Sequence, residues 1–171
     1  MKIVYDEAVS SLRRTPQTLR SYFDGLSVAW LEADEGPGTW TPVETLTHMV
    51  HIEATWMERL DHIAVHGDSE AFPLVDRNRH MEALGHLTLD ELLDRFSELR
   101  ADGLAGLAQL EFDANRPGLH GELGPVQMGQ LLAAWATHDL NHLGQIVKAM
   151  AKQYRDAIGP WRSFLAIVDA E

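Results

Sequence analysis

PVQMGQLLAAWATHDLNHLGQIVKAMAKQY, Pro125 to Tyr154, is the stretch on which the fold turns. After Gly124 and Pro125, the residues Met128, Leu131, Leu132, Trp135, Leu143, Ile146, Val147 and Met150 recur at the spacing that gathers side chains on one face of an α-helix. The pattern predicts a helix from near Val126 to Tyr154, stopped by Gly159 and Pro160. A helix of that length with a single apolar stripe has to bury the stripe against other helices. It also carries His138 and His142, four residues apart. On a helix such residues lie about 40° apart around the axis and about 6 Å along it, so both imidazoles leave one face and can share a divalent cation.

Working outward, three more helix starts are legible. TPVE places Thr41 as N-cap, Pro42 at the first helical position and Glu44 as the reciprocal partner of a capping box, and TLDE repeats the box with Thr88 and Glu91. TPQT places Thr15 as a third N-cap before Pro16. The helix after Thr41 is expected to continue to His66 and Gly67 through Leu46, Met49, Val50, Met57, Leu60 and Ala64. The one after Thr88 is expected to reach Leu110 through Leu92, Leu93, Phe96, Leu99, Leu104 and Leu107. An N-terminal helical region, broken at Thr15 and Pro16, supplies Leu19, Phe23, Leu26 and Trp30. No segment alternates with the period of a strand, and nothing repeats. These elements predict an all-α fold, an antiparallel four-helix bundle forming one domain over residues 1–171. Two long connections, 68–87 and 111–125, are of the kind that border a site in a small bundle.

Composition narrows the function. With 26 acidic against 14 basic residues the formal charge is −12, and clusters such as Arg13 and Arg14 are too small to draw in a phosphate backbone, so nucleic acid is excluded as an expected partner. Cysteine is absent, which removes disulfides, thiolate metal sites and cysteine nucleophiles; any thiol chemistry needs a thiol from outside. The N-terminus lacks the apolar core of a signal peptide and no apolar run approaches a membrane span, so the expected location is cytoplasmic, with no membrane partner. There is no Gly-rich phosphate loop, and no serine has the context of a nucleophile elbow.

His138 and His142 alone are a loose pattern, because two imidazoles without the glutamate of HExxH also occur at the edges of ordinary cores. The helix after Thr41 offers a third ligand in His48 or His51, and either can face the last helix in a bundle. Counting about 100° per residue places His48 off the centre of the apolar stripe, at a cleft margin where a metal would keep an open position. The same count places Glu53 and Asp139 within apolar stripes. Carboxylates there are costly unless paired: they either orient ligand histidines through the free ring N–H groups or capture a Trp N–H, a Tyr O–H or an Arg inside the bundle. His62 and His66 form a second pair four apart, near a helix C-terminus where cationic rings are favourable without any metal. His80, His86 and His120 read as solvated loop residues, with His120 and Arg116 at a substrate mouth. Trp40, Trp56 and Trp135 read as core or stapling residues. Glu44 is accounted for by its capping box, though it stands one turn before His48.

GTWTPVETLTHMVHIEATWMERL, Gly38 to Leu60, and WATHDLNHLGQI, Trp135 to Ile146, resemble the two signatures of the DinB/YfiT-like superfamily, and the likeness extends from LRRTPQTL to YRDAIGPW. The resemblance implies the same four-helix bundle, commonly a homodimer. It implies a three-histidine site on His48, His138 and His142, with His51 the alternative to His48, holding one divalent ion: nickel or zinc by preference, iron or manganese otherwise. It further implies a small-molecule substrate and an S-transferase that uses a low-molecular-weight thiol. A metal-dependent hydrolase is the alternative enzyme, and a non-catalytic metal-binding bundle acting in stress response is the alternative outside catalysis.

Overall fold

The computed structural model describes residues 4–76 and 79–169. Its long helices are α1 (Tyr5–Phe23), the consecutive pair α3 (Pro42–Glu53) and α4 (Trp56–His66), α6 (Leu89–Gln109) and α7 (Met128–Lys152). Short helices α2 (Val28–Leu31) and α5 (His80–Leu84) lie in the connections. Helix α1 packs against α6 and α7, and α3 packs against the same two, so α1 and α3 occupy opposite corners of a four-helix bundle. That arrangement sets α3 beside α7. No helix among the described residues is long and apolar enough to cross a membrane.

Both predicted capping boxes form: Thr41 and Glu44 exchange bonds of 3.1 and 2.8 Å, and Thr88 and Glu91 bonds of 3.3 and 2.8 Å. The third start does not exist, because α1 runs unbroken through Pro16. Proline removes the N–H that would bond the carbonyl four residues back, that of Leu12. Arg100 Nη1 donates to this oxygen at 2.6 Å, replacing the lost bond from another helix. Thr15 meanwhile donates its hydroxyl to Asp139 at 2.6 Å instead of capping.

The helix expected from Thr41 to His66 is interrupted after Glu53. Thr55 directs both its N–H (2.9 Å) and its hydroxyl (2.8 Å) onto the Ile52 carbonyl, a local bond that competes with the regular ladder. Helix α7 begins at Met128, two residues later than predicted, because Gly124–Gln127 is a strand, β3. It pairs antiparallel with β2 (Pro117–His120), which pairs parallel with β1 (Ala71–Phe72). The strands escaped the sequence reading because they are two to four residues long and rich in Gly and Pro. They pack against the end of α4 and lead into α7. Met128 and Gly129 donate their N–H groups to Arg116 and Ala114 carbonyls at 3.0 Å, and a Cβ on Gly129 would sit 2.9 Å from Ala114, so only glycine allows the loop this close. The Arg116 guanidinium donates to the carbonyls of Ile63 and Ala64 and closes the last turn of α4.

Two apolar clusters fill the interior. One holds Leu12, Trp56, Leu60, Leu107, Leu132 and Trp135, the other Leu19, Phe23, Leu46, Phe96 and Ile146. Between them α1, α3, α6 and α7 each contribute a polar residue to one layer: Thr15, Glu53, Arg100 and Asp139, all buried. Arg100, 1% exposed, spends all five N–H groups there: on Glu53 (2.5 and 2.9 Å), on Asp139 (2.7 and 3.0 Å) and on Leu12 O. Trp135 Nε1 adds a bond to Glu53 at 3.1 Å. Burial raises the Glu53 pKa above its ordinary range against the pull of Arg100, whereas for Arg100 the two carboxylates outweigh burial and hold the guanidinium charged.

Candidate metal centre

One turn along α7 from this layer, the three histidines meet. His48 comes from the second turn of α3, and His138 and His142 from successive turns of α7. His138 Nε2 lies 3.3 Å from His48 Nε2, and one ring nitrogen from each of the three residues falls within 4.8 Å of the others. Ring centroids are 5.4 Å apart for His48 and His138, 4.8 Å for His48 and His142, and 4.3 Å for His138 and His142. Two nitrogens that each bind one cation at about 2.0 to 2.1 Å stand about 3.3 to 3.4 Å apart in a tetrahedron, so the observed edge fits a shared ion without movement.

Electrostatics suit the same purpose. Burial, reinforced by His142 and His48, pushes the His138 pKa down to about 3, and burial lowers that of His142 against the opposing pull of Gln145 and Asp139. Both rings are therefore neutral at ordinary pH, the form that offers a lone pair to a metal. His142 Nδ1 donates to Gln145 Oε1 at 2.9 Å, which fixes the tautomer and leaves Nε2 as the ligating atom. A donor set of three imidazoles matches a divalent cation of the zinc or nickel type, with further positions left open.

His51 does not join the group. Its Nε2 bonds the Asp76 carbonyl at 3.2 Å and the ring lines a separate cavity of about 360 Å³ with Arg79 and Glu82. His48 is not at a cleft margin: at 4% exposure it is enclosed by Trp40, 4.8 Å away between ring centroids, and by His80 at 5.3 Å. His80 is 3% exposed rather than a solvated loop residue, because α5 folds it under Trp40 at 4.6 Å. These two and Gln145 are the parts of the site that the sequence reading missed. Gln145 was detectable as the i+3 neighbour of His142; Trp40 and His80 were not, since only tertiary packing brings their loops over α3. Glu53 and Asp139 are committed to Arg100, the second of the two roles open to them.

His138 is half-buried and forms the floor of a cavity of about 280 Å³ that Trp56, Arg59, His120, Glu122 and Leu123 also line. The Arg59 guanidinium lies 5.5 Å from the Trp56 ring centroid and 5.8 Å from that of Phe72. His120 Nδ1 accepts the N–H groups of Glu122 and Leu123 at 3.0 and 3.2 Å, so the neutral ring carries its proton on Nε2.

A bundle with α1 and α3 at opposite corners thus brings together three histidines, from two adjacent helices, that could hold a metal ion. The chain belongs to the DinB superfamily, whose family model matches residues 11–146. Among solved structures it is similar to YfiT from Bacillus subtilis, described as "a probable metal-dependent hydrolase with an unusual four-helix bundle topology", with a TM-score of 0.76 at 18% identity over 88% of this chain and 90% of that one. It is also similar to TT2238, described as a four-helix bundle protein, with a TM-score of 0.58 at 24% identity over 82% of this chain and 95% of that one. These likenesses bear out the fold. No curated protein matches the chain in sequence.

Proposed function

We propose that this chain is a divalent-metal-dependent enzyme that uses His48, His138 and His142 as ligands and hydrolyses a small molecule held in the cavity above His138. The observation that carries the reading is the 3.3 Å approach of His48 Nε2 to His138 Nε2, with the half-buried His138 ring lining that cavity. When bound, a cation there supplies a lowered pKa to a coordinated nucleophile and polarises the bond under attack. The chain's own residues do the rest. His142, oriented by Gln145, and His138 hold their lone pairs in place, Trp40 and His80 keep solvent from the His48 side, and Arg59 offers positive charge to the substrate. His120, with its proton on Nε2, is placed to donate to a developing negative charge rather than to accept a proton.

Water as nucleophile needs no second substrate, and the hydrolase description of YfiT supports that choice. Transfer to a low-molecular-weight thiol is the second reading; Arg59 favours it for a thiol that carries a carboxylate, because a guanidinium at the cavity wall can pair with that group. Self-association into a homodimer belongs to the same proposal, supported by the exposed Trp161 and Phe164 after α7, and sedimentation of the purified chain checks it.

The test is turnover by the zinc- or nickel-loaded protein on a panel of esters, amides and electrophiles, with and without added thiols. Hydrolysis without thiol is the expected result. Turnover that requires thiol moves the assignment to S-transfer, and no turnover by fully loaded protein contradicts the enzyme reading and leaves a non-catalytic metal-binding bundle.

A further inference from the structure

A second group of ligating side chains stands outside the bundle, at the end of α4. His62 and His66 are four apart on its last turn, with ring centroids 4.4 Å apart. The chain then reverses at Gly67, whose φ of +59° is a left-handed conformation glycine adopts freely, and Ser69 fixes the turn through bonds of its N–H (3.2 Å) and hydroxyl (2.6 Å) to the His66 carbonyl. Glu70 is thereby returned to the pair: its Oε2 lies 3.4 Å from His66 Nδ1, and its carbonyl accepts His62 Nε2 at 3.1 Å. One ligating atom from each of the three residues falls within 4.8 Å of the others.

We propose that His62, His66 and Glu70 form a second, solvent-open site for a divalent transition cation of the zinc type, separate from the buried trio and independent of it. Two imidazoles and a carboxylate are a donor set that zinc accepts in open sites, and the 3.4 Å edge between His66 and Glu70 equals that of two ligands about 2.0 to 2.1 Å from a shared ion. The helix sets the two rings side by side, and a turn of a few residues brings the carboxylate, so little chain entropy opposes closure of the site. The alternative, an exposed His–Glu ion pair, is worth about 0 to 1 kcal/mol. A chain of net charge −12 also concentrates cations at its surface. An ion here would tie the end of α4 to β1, which follows Glu70 directly and pairs with Leu119 and with His120, the latter on the cavity wall.

The experiment is a Zn²⁺ titration of the full, tag-free, metal-stripped chain against a chromophoric chelator. Wild type should take up two equivalents, the second more weakly. His62→Ala/His66→Ala should keep the tight equivalent and lose the weak one, whereas His138→Ala should lose the tight one and keep the weak one. All three ligands are at the surface or half-buried, so folding is not at stake, and far-UV circular dichroism verifies it. Amide hydrogen exchange at Ser69–Phe72 should slow on Zn²⁺ addition in wild type and in His138→Ala, but not in the double variant. Equal stoichiometry in wild type and the double variant, or loss of every equivalent in His138→Ala, would overturn the proposal without touching the assignment of the buried trio.

Discussion

Asp139 and His138 are neighbours on α7, and they belong to two polar clusters with opposite logic. In the Arg100 layer every guanidinium N–H has an acceptor and both carboxylates have several donors, so the cluster is closed upon itself. In the histidine group two acceptor-capable Nε2 atoms face each other across 3.3 Å beside a cavity, an arrangement that a cation completes. Burial alone therefore does not mark a functional residue. What separates the two clusters is that one pairs opposite charges inside the core, whereas the other gathers three ligating nitrogens beside a cavity.

That contrast breaks most visibly at Arg100. Arg100→Met should leave Glu53 and Asp139 buried without a cation and cost about 3 to 5 kcal/mol, read as a fall in the urea midpoint. A loss below about 1 kcal/mol would mean that the layer is not the internal tie described here. In the histidine group the corresponding change should spare the fold and strike the metal. Gln145→Leu removes the acceptor that fixes the His142 tautomer and should weaken metal binding about 10- to 100-fold in a chelator competition, with little change in the unfolding midpoint of the metal-free chain.

Acid should sharpen the same distinction. Because the His138 pKa is depressed to about 3 in the folded state, the unfolded chain binds the proton first, and metal-free stability should fall as pH drops below the ordinary histidine value near 6.5. Between pH 7.5 and pH 5 the expected loss is about 2 kcal/mol from this residue, measured by urea unfolding, with His142 adding in the same direction. A metal-free chain that is as stable at pH 5 as at pH 7.5 would show the rings to be less enclosed than described. The smallest effect is remote from both clusters: Thr41→Ala, which removes one half of the capping box at the head of α3, should cost about 1 kcal/mol.

Sequence and structure agree where the deciding interactions are local. The boxes at Thr41 and Thr88 involve partners three residues apart and were legible, as was the paired projection of His138 and His142 from one helix face. They part where a distant residue replaces a local one. Pro16 reads as a helix start because its missing N–H orphans the Leu12 carbonyl, and nothing nearby reveals that Arg100 will take that bond. Thr55 reads as one more helical residue, yet its hydroxyl competes for Ile52 O and divides α3 from α4. For the first of the three candidate ligand positions, periodicity left His48 and His51 open, and packing sets them apart: Trp40 and His80 enclose one ring while the Asp76 carbonyl bonds the other.

Metal content by elemental analysis, on tag-free wild type and on His48→Ala, His51→Ala and His138→Ala, tests the central claim most directly. After exchange into a weak chelator that clears surface ions, wild type and His51→Ala should retain one divalent ion per chain, and His48→Ala and His138→Ala should retain none while remaining helical. One ion per chain in His138→Ala, or its loss from His51→Ala with His48→Ala unaffected, would contradict the account.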